Sequence, residues 1–322
     1  MSTPDTPFYP MTHDDALALI AALNSFAPGL VTTTQRGFLA PDAEAIENGF
    51  IKLATSANKG LMSKVFAALL EDPDKIIFYA NTVTGTAGFH NSIYRGKYLG
   101  DHVTDEQYAA ISAGTFDDMF IGDYWVINGV TWRIAAFDYW LNHGDTECTT
   151  HHVVIVPDTN LATCKMNNSD STTGAYIGSN YYTGANSNTG KATAKSAIES
   201  AFGSAHILSH REHLQNAVTN GYESAGTWYD STFELMTERM VYGCDIFHNV
   251  QHGTNIPNFY SIDTAQLPLF RHDHARICNR AGWWLRDVAS ATNFAYVTGS
   301  GGAHYYNASY SYGVRPAFGI RA

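Results

Sequence analysis

A chain of 322 residues that is 45% hydrophobic can bury a sizeable core, and its length fits one large domain with a smaller one beside it. Charged residues are only 15% and the formal net charge is −11 with no basic cluster, so Lys and Arg cannot track a phosphate backbone and nucleic acid is not the expected partner. No apolar run is long enough to span a bilayer, and Met1-Ser2-Thr3-Pro4-Asp5 has neither the basic start nor the apolar core of a signal peptide, so membrane insertion and secretory export are not expected.

The chain opens with helical signals. Thr12 and Asp15 form a capping box before the apolar run from Ala16 to Leu23. A second helix is expected after Pro41, with Ile46, Phe50, Leu53 and Ala57 at helical spacing, and a third carries Leu61, Val65, Phe66, Leu69 and Leu70. Helices this short need partners, so residues 1–91 read as a small helical module for oligomer contacts or docking onto a larger assembly, with a helical lid on the main domain as the close alternative.

Thr104 with Gln107 caps the next helix, which carries Tyr108 and Ile111 and stops at Gly114. The pattern then changes to period two. Asp123-Tyr124-Trp125-Val126-Ile127, the turn Asn128-Gly129, and Val130-Thr131-Trp132-Arg133-Ile134 spell a hairpin, because Asn-Gly adopts the positive φ angles of a type I′ turn. Trp125, Ile127, Val130, Trp132 and Ile134 belong to its core face. Val153-Val154-Ile155-Val156 is apolar on both sides, as a central strand is. Just before it stand His151 and His152, which with Cys148 invite a zinc reading. Adjacent residues at a strand start point to opposite faces, so these histidines are not expected to share an ion. The four cysteines, Cys148, Cys164, Cys244 and Cys278, include no CxxC pair and are expected to be free and mostly buried.

Residues 167–192 form a long polar insertion with Tyr176, Tyr181 and Tyr182 embedded in it. It reads as an ordered surface loop or oligomer contact, with a second binding surface as the alternative. A helix over 194–202 ending at Gly203, a short one beginning at Ser209-His210-Arg211-Glu212, and one from Ser231 with Glu234 through Leu235, Met236, Met240 and Val241 to Gly243 are expected next. Helices early and strands late make an α+β domain.

The last stretch stands apart in composition. Between Asp287 and Arg315 no residue is charged, and Tyr, Ser, Gly and Asn fill 14 of the 24 positions from Ala289 to Tyr312. Binding loops use this mixture, since Tyr offers rigid amphipathic area and Ser, Gly and Asn offer adaptable hydrogen bonds. Trp283-Trp284-Leu285-Arg286 and Gly313-Val314-Arg315-Pro316 enclose it as stiff flanks, with Arg286 and Arg315 expected to bond backbone carbonyls or an acid such as Asp287. In a strand, Ala295 and Val297 share one face and Phe294 and Tyr296 the other, with turns at Gly299 and Gly301-Gly302. The expected ligand-binding residues are Thr292, Asn293, Tyr296, Thr298, His304, Tyr305, Tyr306, Asn307, Tyr310 and Tyr312.

The order Trp-Leu-Arg-Asp, Phe-Ala-Tyr-Val, Asn-Ala-Ser and Tyr-Gly-Val-Arg-Pro-Ala-Phe over 284–318 resembles the C-terminus of C-type-lectin-fold variable proteins diversified by retroelements, whose type example is a phage tropism determinant. Tyr94-Arg95-Gly96-Lys97-Tyr98-Leu99-Gly100 and the stretch from Gly114 to Trp125 resemble phage tail proteins of the same group. The resemblance covers roughly 92–322. It implies a C-type-lectin-like ligand-binding domain over 92–322 with a variable-type region at 283–318, a homotrimer, other tail proteins as neighbours, and location in the virion. The fold also serves formylglycine-generating enzymes and lectins, so function must come from the site.

Catalysis has weaker support in the residues. No Gly-x-Ser-x-Gly sits in a strand-to-helix context, and Ser300 is a turn residue. Asp117, Asp118, Asp123, Asp230, Glu234 and Glu238 could supply a glycosidase pair, so a surface-glycan hydrolase is the enzymatic alternative, and a lectin-like bacterial adhesin is a third reading. Ile256-Pro257-Asn258 lacks the acidic first residue of a calcium-lectin triplet, and no metal or cofactor is expected. The reading is thus a non-enzymatic phage tail receptor-binding protein recognising a bacterial surface protein or glycan.

Overall fold

The structure, a computed structural model, describes residues 86–250 and 265–322. The three helices expected over 16–70 and the triplet Ile256-Pro257-Asn258 lie outside the described residues. In chain order the elements are α1 (Ala87–His90), β1 (Tyr98–Gly100), α2 (Asp105–Ser112), β2 (Tyr124–Ile127), β3 (Val130–Phe137), β4 (Val153–Pro157) and β5 (Ala162–Lys165). Then come α3 (Asn180–Thr183), α4 (Gly190–Phe202), β6 (His210–Thr219), β7 (Tyr222–Ser231), β8 (Phe233–Leu235), α5 (Glu238–Tyr242) and α6 (Pro268–His272). The chain closes with β9 (Trp283–Val288), β10 (Asn293–Val297), β11 (Ala303–Asn307), β12 (Ser311–Val314) and β13 (Pro316–Ile320). The class is α+β, with more strand than helix among the described residues.

The strands form a six-stranded sheet in the order β1-β2-β3-β4-β13-β8, a five-stranded sheet in the order β11-β10-β9-β12-β5, and a β6-β7 ribbon. Local chemistry sets several of these elements. Thr104 accepts the N–H of Gln107 at 3.2 Å while Gln107 accepts that of Thr104 at 3.1 Å, closing the capping box of α2. Asn128 and Gly129 take φ of 54° and 78°, which folds β2 onto β3 with Trp125 opposite Trp132. Every residue of β4 is buried, as its position between β3 and β13 requires. Trp132 packs edge-on against Phe202 of α4 and Phe318 of β13, joining helix and sheet in one core. Arg95 bonds Asp118 at 2.5 Å and Asp123 at 2.6 Å, tying together the two upstream stretches singled out in the sequence.

Three local expectations are corrected. Ser209-His210-Arg211-Glu212 starts no helix: β6 begins at His210 and pairs with β7 through a turn at Asn220 and Gly221, whose φ values are 55° and 85°. The ribbon wins because Asn220-Gly221 carries the same turn chemistry as Asn128-Gly129. The helix expected from Ser231 to Gly243 is two elements. Ser231 donates to Glu234 at 2.6 Å inside the core and β8 follows, while α5 is capped by Thr237 and ends at Gly243 with φ 83°. The 167–192 insertion is not all surface. Tyr176 and Tyr181 are fully buried, and the Tyr176 hydroxyl donates to Glu234 at 2.7 Å and accepts the N–H of Leu235 at 3.1 Å. A buried hydroxyl needs such partners, and Glu234 supplies one.

Two of the chain's passages between the larger sheets are short. Residues 158–161 carry the chain from β4 into β5, and Arg315 alone separates β12 from β13. Arg315 is buried. Its Nε donates to the Pro157 carbonyl at 2.7 Å and Nη1 to that of Ile277 at 3.3 Å, with the guanidinium 5.1 Å from the Trp283 ring and 5.7 Å from the Phe270 ring. Burial lowers its pKa to about 10 against the pull of Asp158, so it stays charged at neutral pH. Arg315→Ala is expected to destabilise the domain by about 3 kcal/mol, since it opens a cavity and orphans buried carbonyls. Arg315→Lys, which lacks the planar fork, should recover only part of this. Urea unfolding measures both, and a wild-type midpoint for either would contradict the assignment.

Candidate ligand face

Trp283, Trp284 and Leu285 are buried, and the Trp284 indole donates to the Cys164 carbonyl at 3.0 Å. Arg286 finds its acid in Glu212 of β6, not in Asp287. Burial would raise the Glu212 pKa, but Arg286 and His210 overcome it and hold the group at about 2, so the buried pair is ionised. On this anchored strand the next two are laid in order. Phe294 pairs with Tyr306 and Tyr296 with both His304 and Trp284, which places Trp284, Phe294, Tyr296, His304 and Tyr306 on one face of the sheet.

That face is an aromatic ladder. Tyr296 stacks on Tyr312 with 4.3 Å between centroids and meets Trp284 and Tyr306 edge-on at 6.0 Å, while Tyr306 meets Tyr310 at 4.4 Å. Gly282 makes room, because a Cβ there would sit 2.8 Å from the Tyr312 ring. Along the ladder exposure rises from 8% at Tyr296 to 50% at Tyr310, while Tyr305, paired with Ala295 and so on the other face of β11, is 41% exposed. The Tyr312 pKa is raised by burial and then by its hydrogen bond with Tyr296, and that of Tyr306 by its bond with Tyr310. At neutral pH Tyr306 and Tyr312 are therefore uncharged phenols, able to stack and to exchange hydrogen bonds with a ligand.

The ten expected residues are adjacent but unequally placed. Thr292, His304, Tyr305 and Tyr310 are exposed; Asn293, Thr298, Tyr306, Asn307 and Tyr312 are half-buried; Tyr296 is buried as the floor of the ladder. Its strand is covered on both faces, which simple alternation does not reveal. Thr298 accepts the N–H of Gly302 at 3.0 Å, so it helps to close the β10–β11 turn. That turn is held from outside by the Tyr242 hydroxyl donating to Gly301 at 3.0 Å and the Cys278 thiol donating to Gly299 at 3.0 Å.

The opposite end of the hairpin meets the 167–192 insertion. Asp170 accepts from the Asn307 amide at 2.8 Å and from the Ser309 N–H at 3.3 Å, and Thr172 donates its N–H to Ala291 and its hydroxyl to Ser290. The two stretches that looked like separate binding surfaces are one continuous region. Phe247, absent from the sequence-based set, lies edge-on to Tyr305 at 5.0 Å and 6.1 Å from His304. No periodicity marks it, since it sits in an irregular segment brought there by tertiary contacts.

The histidines before β4 behave as separate groups. His152 is buried and His151 half-exposed, and both bond Asp138, His151 through Nδ1 at 2.7 Å and His152 through its N–H at 2.9 Å. All four cysteines are free, with Cys148 buried, Cys164 and Cys278 half-buried, and Cys244 exposed. Among the described residues no group of three or more His, Cys, Asp or Glu side chains is arranged to hold a metal ion, and no helix is long and apolar enough to cross a membrane.

Residues 124–322, more than half of the chain, match the family described as Domain of unknown function (DUF6273), and the chain belongs to that family. The match begins at the first residue of β2, although β1 upstream pairs with β2 in the same sheet. The comparisons with curated proteins and with solved structures return no match.

The burial gradient separates floor from surface experimentally. Tyr296→Ala is expected to lose about 3 kcal/mol of stability, as a buried aromatic does, while Tyr310→Ala should stay within about 0.5 kcal/mol of wild type. Denaturant midpoints decide it, and equal losses at the two positions would contradict the gradient.

Proposed function

We propose that this chain is a phage tail or tail-fibre receptor-binding protein with a C-type-lectin-like domain, recognising a bacterial surface protein or glycan through the ladder and its flanks. The observation that carries the reading is the joining of two properties in one place: exposed, uncharged tyrosines, Tyr305 on the edge strand β11 and Tyr310 in the turn before β12, beside the almost wholly buried strands β9 and β10. Interfaces draw most of their affinity from a few aromatic anchors, and a rigid framework lowers the cost of ordering them. In such a protein the surface positions of 283–318 can be varied, by a retroelement in the resembling group, while the framework stands.

Three of the six acids considered for hydrolysis are taken up by the framework. Asp123 is spent on Arg95 and on the N–H groups of Lys97 and Phe120. Glu234 is taken by Tyr176, Ser231 and Lys191, and Glu238 by three backbone N–H groups. Groups so occupied are structural.

A tail-tip protein binds weakly at each site and gains by avidity, and the proposed assembly is a homotrimer beside other tail proteins in the virion. Two experiments test the reading. Labelled protein is titrated on a panel of bacterial strains, and Tyr305→Ala with Tyr310→Ala is expected to lower adsorption at least about tenfold at an unchanged melting temperature, as for two lost anchors. Adsorption equal to wild type would remove the face from the account. Light scattering at micromolar concentration should report three copies, and a monomer would end the avidity argument.

A further inference from the structure

The segment 245–250, which brings Phe247 to the hairpin, is fastened by an unusual cluster of charge. Glu238 Oε2 accepts the N–H groups of Ile246, Phe247 and His248 at 2.7, 2.8 and 3.0 Å, while Oε1 is buried with no hydrogen-bond partner among the described residues. His248 places Nε2 2.7 Å from Glu223 of β7, and Nδ1 3.4 Å from Asp245 and 3.8 Å from Asp287 of β9. Asp287 accepts the N–H of Glu238 at 2.6 Å, Glu223 that of Val288 at 3.0 Å, and Arg239 pairs with Asp245 at 2.5 Å. Asn249 completes the fastening, with its N–H on Val288 and its amide on Ala289, both at 2.9 Å.

Glu223, Glu238 and Asp287 are all buried, and like charges so close cannot all persist without a cation. His248 is the group that reaches two of them. Burial alone would lower the imidazole pKa, but Glu223 and Asp287 overcome it and set it well above the ordinary value. Burial likewise raises Asp287, against the pull of His248. Both shifts have one sign. The closed cluster holds more protons than an open segment would, so its stabilisation is present below the ordinary histidine pKa and is lost as pH rises through the raised one.

We propose that 245–250 is a proton-linked strap, held against the β10–β11 hairpin while His248 is protonated, so that Phe247 stands as a fixed wall of the ligand face beside His304 and Tyr305. The wall's use rests on the receptor-binding reading. The strap itself does not, and it is tested on the free protein.

Hydrogen exchange at Ile246, Phe247 and His248, corrected for intrinsic rates, should show protection falling by about tenfold or more between about pH 6 and about pH 9, one pKa unit's worth of linkage. The Tyr305 ring resonances should shift with the same midpoint. Phe247→Ala leaves the carboxylates and imidazole intact, so it should abolish the Tyr305 shift while keeping the pH-dependent protection. His248→Gln should lose the pH dependence. If that variant fails to fold, imidazole 15N shifts of the wild type decide the point, with a doubly protonated ring expected at about pH 8. Protection that does not change with pH, a neutral His248 at that pH, or a Tyr305 shift indifferent to Phe247 would each overturn the proposal. None of these readings involves a receptor, so loss of the receptor-binding reading would leave them unchanged.

Discussion

A guanidinium buried between two sheets must keep its acceptors, and the architecture follows from where Arg315 finds them. Its fork reaches the end of β4 at Pro157 and the segment before β9 at Ile277, while its plane lies over Trp283 and Phe270. Two parts of the chain that are distant in sequence, the end of β4 and the stretch 270–283, are thereby fixed to the residue that separates β12 from β13. Asp158, at the other crossing, takes Arg133 through two bonds of 2.8 and 2.5 Å. Because both short crossings are tied by charge-assisted bonds to the interior, the five-stranded sheet does not depend on its outer hairpin for its place.

This frees the hairpin's side chains. Gly313 shows how tightly the framework is built next to that freedom: an added Cβ would overlap the Asn160 amide, and the glycine is buried between Tyr312 of the ladder and Val314 of the core. Two residues away, Ser311 faces solvent. The ends of the hairpin are held by Tyr242, Cys278 and Asp170, through contacts mostly to its backbone, which hold whatever the exposed side chains are.

Much of this was legible in the sequence where a local rule acts alone. The Asn128-Gly129 hairpin, the Thr104 cap, the buried β4 run and the Trp283 to Leu285 anchor follow from turn chemistry, capping and apolar pattern. What escaped depends on distance. Asn220-Gly221 carries the same signal as Asn128-Gly129, but the charged start His210-Arg211-Glu212 masked it, since Glu212 is buried only because Arg286 lies opposite. Tyr176 and Tyr181 looked like surface aromatics because their polar neighbours did, and Glu234 is the distant acceptor that lets Tyr176 go inside. Tyr296 is covered on a face that alternation assigns to solvent. Phe247 and its anchoring carboxylates lie on four separate elements, and no spacing rule links them.

The central claim is that a bonded framework carries a replaceable, uncharged recognition surface. A displayed library that randomises Thr292, Asn293, Thr298, His304, Tyr305, Tyr306, Asn307 and Tyr310 together, sorted separately for folded display and for adsorption to bacterial cells, tests it most directly. The account predicts that most members display as well as wild type while adsorption is lost or redirected to other strains. A library that largely fails to fold, or that folds and adsorbs as wild type does, would contradict it.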